Sequence, residues 1–414
     1  MNVDSNETQA PPAVDCDGWC FNRQEVAGSL GDLGVLLPIA LGLILINGLD
    51  ATAVFVGVGL YYVLGGLYFR ITIPVQPMKV IGAYAIANLL SPLQITSAGM
   101  IVGVLLLVLA LTGTISLAGR LVPKSTVRGG QLTTGVLLFV QGVRFILGES
   151  SLQVARGTAE PFLSMAAIGH VPIGIILGVS TIVLILLLLN NKKFPAALIV
   201  VAGGLLAGLV LGGWRGLAGF RIGFSLPEFL PYGWPETADL IVALTVLALP
   251  QVPMTVGNAV IAQADLTREY FGEQAARRST FRALAISMGL ANVICAFFGA
   301  MPMCHGAGGL AAHYRFGART VGSNLIIGGT FLLIGLLLGK QAILLFSLLP
   351  FSVLGALLVF SGAQLALMIL DVKDRKDMFV VVSMLGVALV SNLAIGFGVG
   401  VVLAYLFKFK RLSV

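Results

Sequence analysis

The residue types that could bind a small anion are concentrated in two short stretches of the sequence. In residues 299–319 a proline, five glycines, histidine and two arginines interrupt a long apolar run, and in residues 71–90 two prolines precede Lys79. Proline lacks an N–H and moves the residue before it away from helical conformations, so each stretch predicts an extended segment followed by a helix. The free N–H groups at the start of such a helix form an anion site.

The composition indicates the class of protein in which these stretches lie. The chain of 414 residues is 57% hydrophobic and 10% charged, with a mean hydropathy of +0.99. No soluble domain of this length has such a composition, so the sequence predicts an all-α polytopic protein in the lipid bilayer. Irregular backbone at membrane depth is tolerated only inside protein or along an aqueous cavity, and we therefore expect both stretches in the protein interior.

Apolar runs of about 20 residues predict fourteen helical segments. They are expected at 27–46, 51–69, 76–90, 97–118, 130–147, 171–189, 194–213, 238–264, 280–298, 303–318, 321–339, 343–370, 378–392 and 393–407. Two sets of seven predict a 7+7 inverted repeat over 27–213 and 238–408, with helices 3 and 10 broken by proline. Residues 214–237 are the inter-repeat loop, and residues 1–26 and 409–414 are cytoplasmic tails without a signal-peptide core.

The distribution of lysine and arginine predicts the orientation in the membrane. With the N-terminus inside, 19 of the 25 Lys and Arg residues fall in cytoplasmic segments, five fall in outer segments, and Lys79 lies within a helix. This asymmetry predicts cytoplasmic termini, with the plasma membrane as the expected location. The net charge of +7 is then a topology signal and does not indicate a nucleic-acid partner. Four cysteines without a Cys-x-x-Cys pair indicate neither a disulfide framework nor a metal site.

Polar residues near the first proline-rich stretch are candidates for binding. Gln76 offers donors and acceptors, and it either contacts the anion or satisfies the unpaired backbone of the extended piece. Met78, at the end of that piece, is a further candidate for contact with the substrate. Lys79 lies in the first turn of the predicted half-helix, where a cation is unfavourable unless a bound anion or a carboxylate offsets it. It contacts the substrate, pairs with Asp32 or extends toward water. Asp32 itself either binds a coupling proton or cation, or compensates Lys79 or Arg315.

The second half-helix supplies further candidates. Cys304, His305 and Gly306 are predicted in its first turn, next to the bound anion. There His305 donates to the anion, carries a coupled proton, or has only a structural role. Arg315 and Arg319 are expected at the far end of this helix, where cations suit the negative end of the helix dipole, and we interpret them as structural.

Three polar residues recur along predicted helix 8. Gln251, Thr255 and Asn258 are four and seven residues apart and are expected to share one face. A buried amide on that face needs either a ligand or a protein partner. The spacing therefore predicts either a part of the binding site or a polar bridge between helices.

The same stretches resemble a known family. PVQPMK at 74–79, PQVPMTVGNAV at 250–260, MPMCHGAGGLAAHYRFGAR at 301–319 and GSLGDLG at 28–34 resemble the molybdate transporter family, a branch of the sulfate permease superfamily. The resemblance covers about residues 25–408. It implies a uracil-permease-like fold with helices 1–4 and 8–11 as a core domain and helices 5–7 and 12–14 as a gate domain. It also implies a possible homodimer and no C-terminal regulatory (STAS) domain.

These observations predict a transporter without a cofactor. The sequence has no phosphate-binding loop, His-Glu-x-x-His or Gly-x-Ser-x-Gly motif that would indicate an enzyme. Residues 240–264 and 291–319 contain no Asp or Glu, which favours an anion over a nucleobase as substrate. We predict secondary active transport of a tetrahedral oxyanion, first of all molybdate, by alternating access between two half-helix N-termini, with a coupled proton or cation. The alternatives are a sulfate or other anion transporter or exchanger of this fold, and a passive anion channel.

Overall fold

The computed structural model describes residues 19–189, 191, 196–212 and 220–408. The described α-helices are α1 (Arg23–Ser29), α2 (Leu33–Leu45), α3 (Ala51–Phe69), α4 (Lys79–Asn88), α5 (Pro92–Leu111), α6 (Ile115–Leu121), α7 (Lys124–Leu147), α8 (Ser151–Arg156), α9 (Ile173–Leu188), α10 (Ala196–Gly212), α11 (Thr237–Val242), α12 (Leu249–Met254), α13 (Ala262–Ala276), α14 (Phe281–Phe297), α15 (Ala307–Phe316), α16 (Val321–Leu338), α17 (Ala342–Ser347), α18 (Phe351–Ala366), α19 (Arg375–Val390) and α20 (Leu393–Leu406). The strands, two residues each, are β1 (Gln76–Pro77), β2 (Ala167–Ile168), β3 (Val171–Pro172) and β4 (Met303–Cys304).

The architecture confirms an all-α polytopic membrane protein. In the described part of the chain, six helices are long and apolar enough to cross a bilayer, and α1 with α2, bent by 43°, forms a possible seventh. Four shorter apolar helices are α9, α10, α14 and α20. The helical segment at residues 237–274 alternates α-helical turns with two π-helical segments, Ala243–Ala248 and Thr255–Ile261, and is kinked at Gly272, where φ is +77°. It extends beyond the predicted helix 8.

Several predicted boundaries are wrong. The second half-helix begins at Ala307, after Cys304 and His305, because Gly306 has an extended conformation and acts as its N-cap. Predicted helix 12 is interrupted before α18, where Pro350 is the N-cap. Residues 23–26, assigned to the polar tail, already form the start of α1. Residues 1–18 and 409–414 of the predicted tails, and 213–219 of the predicted inter-repeat loop and its flank, lie outside the described residues.

Cysteine pairing also differs from the expectation. Cys20 is disulfide-bonded, which the spacing of the cysteines did not indicate. Cys295 and Cys304 are free and buried. No group of metal-binding side chains is found within the ranges that the structure describes.

The two proline-rich stretches meet in the middle of the molecule. β1 pairs with β4 in antiparallel register, Gln76 opposite Cys304 and Pro77 opposite Met303. The backbone N–H of Met78 donates to Pro302 across 2.9 Å and extends the pairing by one bond. Each strand leads into a ten-residue helix, α4 after β1 and α15 after β4. Both helices therefore begin beside the crossed strands, as the prolines predict.

Long helices pack around these strands through pairs of glycines. α3 packs against α16, α5 against α14, and α7 against α18. A Cβ added to Gly59 would lie 2.7 Å from the carbonyl oxygen of Gly328, and one added to Gly103 would lie 2.9 Å from that of Gly289. Small residues thus let the backbones approach closely, which is how helices associate in a membrane.

Residues 230–232 contact the chain where it leaves α14, before β4. The hydroxyl of Tyr232 accepts a hydrogen bond from the N–H of Asp50 at 2.6 Å and donates to the carbonyl of Gly299 at 3.4 Å. Leu230 donates its N–H to Phe297 at 2.7 Å. Gly299 has φ +72°, a conformation that favours glycine, directly before the extended segment. The loop therefore fixes where the chain leaves α14.

Candidate functional site

A cavity of about 400 Å³ lies beside the paired strands β1 and β4. One wall is formed by the turn between α1 and α2, by α2, α4 and α15, and by Asn258, and the other by α7, α9, α10 and α18. Its polar lining consists of Asp32, Gln76, Lys79, Gln131, Asn191, Asn258, Arg315, Ser361 and Gln364. Four of the predicted site residues are therefore brought together here, namely Asp32, Gln76, Lys79 and Asn258.

Asp32 and Gln76 form a buried pair on the cavity wall. The amide Nε2 of Gln76 donates to Asp32 Oδ1 across 2.6 Å. The remaining oxygens, Asp32 Oδ2 and Gln76 Oε1, are buried and have no hydrogen-bond partner among the described residues. A Cβ added to Gly309 would lie 2.6 Å from Asp32 Oδ2, and one added to Gly306 would overlap Gln76 Oε1. Glycine at both positions lets α15 approach this pair.

Lys79 faces the cavity with its charge unpaired. It is the first residue of α4 and is partly buried. No ion pair within 4.0 Å joins Lys79 or Arg315 to a carboxylate of the described residues, although other lysines and arginines form such pairs. The direct ion pair with Asp32, one of the expected alternatives, is thus not formed. Two cationic side chains remain on the wall of one cavity.

The N-terminus of α4 is closed by a side chain. Gln251 Oε1 accepts hydrogen bonds from the backbone N–H groups of Val80 at 3.0 Å and Ile81 at 3.3 Å. Its Nε2 donates to Thr255 Oγ1 at 3.0 Å. Gln251 and Thr255 therefore contact each other as their spacing predicts, but they form a bridge between helices and do not line the cavity.

Asn258 differs from Gln251 in that it reaches the cavity. It lies in the π-helical segment of residues 255–261. Asn258 lines the cavity, and its Nδ2 would lie 3.4 Å from a Cβ on Gly306. π-Helical turns occur often at functional sites.

The N-terminus of α15 reaches the cavity at Gly308. Gly306 is the N-cap, and Ala307 and Gly308 are the first helical residues, whose N–H groups have no partner within a helix. Gly308 is exposed on the cavity wall, and an added Cβ there would meet no atom within 4 Å. Cys304 lies in β4 with its thiol 4.0 Å from the carbonyl of Pro77, and Met78 is the N-cap of α4. Neither side chain lines the cavity.

His305 connects four segments and is fully enclosed by them. Its Nδ1 lies 2.8 Å from the carbonyl oxygen of Pro74, which can only accept, so Nδ1 carries a hydrogen. Its Nε2 lies 2.8 Å from the hydroxyl of Tyr61 and 3.0 Å from that of Ser287. His305 is completely buried and does not line the cavity. This arrangement favours the structural alternative for His305.

Several residues of the site were not identified from the sequence. Gln131 lines the cavity from α7, and its Oε1 accepts a hydrogen bond from Arg128 at 2.7 Å. Arg315 was interpreted as structural, yet it lines the same cavity. Asn292 and Asn324 hold the extended segments by hydrogen bonds. Asn292 and Asn324 could have been identified from the sequence, because a buried amide inside an apolar run needs a specific partner.

The arrangement can bind an anion. Lys79, the free N–H groups of α15 and the amides of Asn258 and Gln131 are hydrogen-bond donors around one cavity. Arg315 adds a second positive charge to the same wall. A cavity that combines two cations and a helix N-terminus suits a small oxyanion.

Comparison with known proteins identifies relatives along the whole chain. A family model described as molybdate transporter of the MFS superfamily matches residues 24–138 and 243–365. Molybdate transporter 2 of Arabidopsis thaliana is 33% identical over 98% of this chain and 94% of its own length. Molybdate transporter 1 of the same plant is 35% identical over 91% of this chain and 86% of its own length.

Solved structures with the same fold are anion transporters. The transmembrane domain of the cyanobacterial bicarbonate transporter BicA superposes with a TM-score of 0.61 at 16% identity, covering 94% of this chain and 97% of that domain. Murine Slc26a9 in the inward-facing state superposes with a TM-score of 0.64 at 15% identity, covering 98% of this chain and 70% of its own. These likenesses show the fold, and the family model and the sequence relatives show the family. The chain is a transporter that belongs to the molybdate transporter family.

Proposed function

We propose that this protein carries molybdate across the membrane by alternating access. The observation that carries the proposal is the cavity in which the unpaired Lys79 and the N-terminus of α15 face the same space. The sequence relatives support molybdate as the substrate because their names assign it to them. The anion lies closer to α15 than to α4, since Gln251 already occupies two N–H groups at the start of α4.

The charges around the cavity imply that a second ion accompanies the anion. Lys79 and Arg315 contribute two positive charges and the N-terminus of α15 about half a charge. Against them stand two negative charges on molybdate and one on an ionised Asp32. An ionised Asp32 would cancel much of this attraction. A proton on Asp32 removes that repulsion, so proton binding and anion binding favour each other. Asp32 is therefore the proposed site of a coupled proton, with a coupled cation as the alternative.

The proposed membrane architecture is fourteen segments in two inverted repeats of seven. Contacts between helices support it. α3, in segment 2, packs against α16, in segment 11, and α5, in segment 4, packs against α14, in segment 9. Exchanging segment 2 with 9 and segment 4 with 11 turns the first contact into the second. In the same way, exchanging segment 5 with 12 and segment 6 with 13 turns the contact of α9 with α18 into the contact of α7 with α19. In this arrangement α4 and α15 lie in the two interrupted segments, and both termini are cytoplasmic, in the plasma membrane.

Transport follows from the position of the cavity between two groups of helices. Segments 1–4 and 8–11 form the core domain, which carries Asp32, Lys79 and α15. Segments 5–7 and 12–14 form the gate domain, which supplies the opposite wall through α7, α9, α10 and α18. Rocking of the core against the gate would move the anion from one side to the other. A homodimer through the gate domain would keep the gate fixed while the core moves.

Uptake of labelled molybdate into proteoliposomes tests this function. We expect accumulation above the equilibrium level when the lumen is alkaline, and competition by tungstate and sulfate measures selectivity among tetrahedral dianions. Flux that never exceeds equilibrium would indicate a passive anion channel. Accumulation of sulfate in preference to molybdate would identify a sulfate transporter or exchanger. Accumulation that does not respond to pH but requires another cation would replace the proton as the coupled ion.

A further inference from the structure

The extended segment before α15 is held by one asparagine. Asn292 lies on α14, and its Oδ1 accepts a hydrogen bond from the backbone N–H of Met303 at 2.8 Å. Its Nδ2 donates to the carbonyl of the same residue at 2.7 Å and to that of Met288 at 2.7 Å. The amide thus bonds both peptide groups of Met303, as a neighbouring β-strand would. Asn292 is 1% exposed, so water offers these groups no alternative.

The extended segment before α4 is held in the same way. Asn324 lies on α16, and its Oδ1 accepts a hydrogen bond from the backbone N–H of Ile73 at 2.9 Å. Its Nδ2 donates to the carbonyl of Ile73 at 2.9 Å and to that of Tyr62 at 3.0 Å. Asn324 is completely buried. Two asparagines on different helices therefore make the same pair of contacts to the two extended segments.

These contacts supply hydrogen bonds that the short strands lack. β1 and β4 pair over only two residues each, and the segments that flank them are buried. A peptide group left without a partner at membrane depth is costly, and a carboxamide is the side chain that offers a donor and an acceptor side by side. Replacement of either amide would leave a donor or an acceptor of the extended segment unpaired.

We propose that Asn292 and Asn324 are positioning residues that set where the two sides of the anion site lie. Ile73 is three residues before Gln76, which lines the cavity, and Met303 is three residues before Gly306, which is the N-cap of α15. Fixing the peptide groups of these two residues fixes the amide of Gln76 and the start of α15. The inference rests on the proposed anion site for its consequence, but the contacts themselves can be tested separately.

Asn47 offers a matched control. Its Nδ2 also donates two hydrogen bonds to backbone carbonyls, those of Ala85 at 2.8 Å and Leu90 at 2.9 Å, and it is 6% exposed. These bonds are at the C-terminal end of α4, away from the crossed strands. A substitution at Asn47 therefore removes a similar number of buried hydrogen bonds without touching either extended segment.

The experiment compares N292D, N324D and N47D for molybdate binding by calorimetry on the purified, full-length protein. Aspartate keeps the acceptor but, when ionised, loses the donor. We expect the first two changes to weaken binding about tenfold or more, and N47D to change it less than threefold while lowering the melting temperature. Relative to the wild type, N292D and N324D should regain affinity at acidic pH, because a protonated carboxyl again offers a donor. Wild-type affinity in both variants, or an equal loss in N47D, would overturn the proposal.

Hydrogen–deuterium exchange distinguishes failure of this inference from failure of the proposed function. In Asn292→Ala and Asn324→Ala, peptides that contain Met303 and Ile73 respectively should exchange faster, while the peptide that contains Leu90 stays protected. This readout needs no substrate, so it holds even if the wild-type protein binds another anion. Unchanged exchange at Ile73 and Met303 would overturn the positioning role whatever the substrate is. If a variant does not yield folded protein, the corresponding aspartate variant is used for the same measurement.

Discussion

The side-chain oxygen of Gln251 accepts a hydrogen bond from the backbone N–H of Val80 at 3.0 Å. Gln251, on α12, thereby caps the N-terminus of α4. From the sequence, this N-terminus is predicted to be one of two equivalent anion sites. The N-terminus of α15 has no such cap, because Gly308 is open to the cavity. The N-termini of α4 and α15 are therefore not equivalent, and in the proposed site the anion lies at the N-terminus of α15, beside Lys79.

Gln251 is expected to act on stability more than on affinity. Gln251→Ala leaves the N–H groups of Val80 and Ile81 unpaired, which costs about 1–3 kcal/mol for a buried group. We expect a lower melting temperature of the purified protein and a molybdate Kd within about threefold of the wild type. Thr255→Val is the control, since it removes only the bond to Gln251 Nε2. A large loss of affinity at an unchanged melting temperature would instead place Gln251 in contact with the anion.

Three glycines at the start of α15 should respond differently to the same change. Alanine at Gly306 or Gly309 would collide with Gln76 Oε1 or Asp32 Oδ2, whereas alanine at Gly308 meets no atom within 4 Å. We expect Gly306→Ala and Gly309→Ala to abolish uptake and lower the yield of folded protein. Gly308→Ala should fold normally and only narrow the cavity. Size-exclusion profiles and uptake assays check this order, and a folded, active Gly309→Ala would contradict the close approach of α15 to Asp32.

The positions of the extended segments could be predicted because proline acts locally. Pro74, Pro77 and Pro302 each lack an N–H and disfavour a helical conformation of the residue before them. Proline alone does not decide, because Pro38 and Pro253 lie inside α2 and α12. β1 and β4 are extended, as this predicts. The helices that follow were placed too early, α4 by three residues and α15 by four, because the sequence does not show that the extended conformation continues through Met78 and Gly306.

The roles of single polar side chains could not be predicted in the same way. Asn258 lines the cavity from a π-helical segment, residues 255–261, and no simple sequence period predicts such turns. Gln131 and Arg315 belong to the cavity only because distant helices pack there. His305 had all the properties of a ligand, but Pro74, Tyr61 and Ser287 surround it.

Arg315 is expected to attract the anion from the side of the membrane on which it lies. It is exposed, lines the cavity and has no carboxylate partner in the described ranges. A charged cavity raises the local concentration of an oppositely charged substrate. Arg315→Gln should therefore raise the KM for transport from that side by about three- to tenfold and weaken its dependence on ionic strength.

Arg319 is the matched control for Arg315. Its guanidinium lies 3.4 Å from the ring centre of Tyr314 and donates to backbone carbonyls of Tyr314 and Ala318. Arg319→Gln should lower stability and leave the KM unchanged. Equal KM values for the Arg315→Gln protein and the wild type at low ionic strength would remove Arg315 from the path of the anion.

Lys79 decides whether the cavity is an anion site. Lys79→Gln keeps the approximate length of the side chain and removes one positive charge, so molybdate affinity should fall by roughly ten- to a thousandfold. Lys79→Arg should lose less, because the charge remains although its geometry differs. Asp32→Asn should bind molybdate at least as well as the wild type, and its affinity should no longer depend on pH, because it removes the carboxylate that the proposal protonates.

A double variant at Lys79 and Asp32 distinguishes direct contact between Lys79 and the anion from a structural role of Lys79. If Lys79 serves only to compensate Asp32 at a distance, Lys79→Gln combined with Asp32→Asn should restore most of what each single change lost. If Lys79 contacts the anion, the double variant should bind as weakly as Lys79→Gln, within about threefold. Binding isotherms of the four proteins at two pH values measure the difference. Full affinity in Lys79→Gln alone would remove Lys79 from the site and leave the N-terminus of α15 as the only positive group near Gln76.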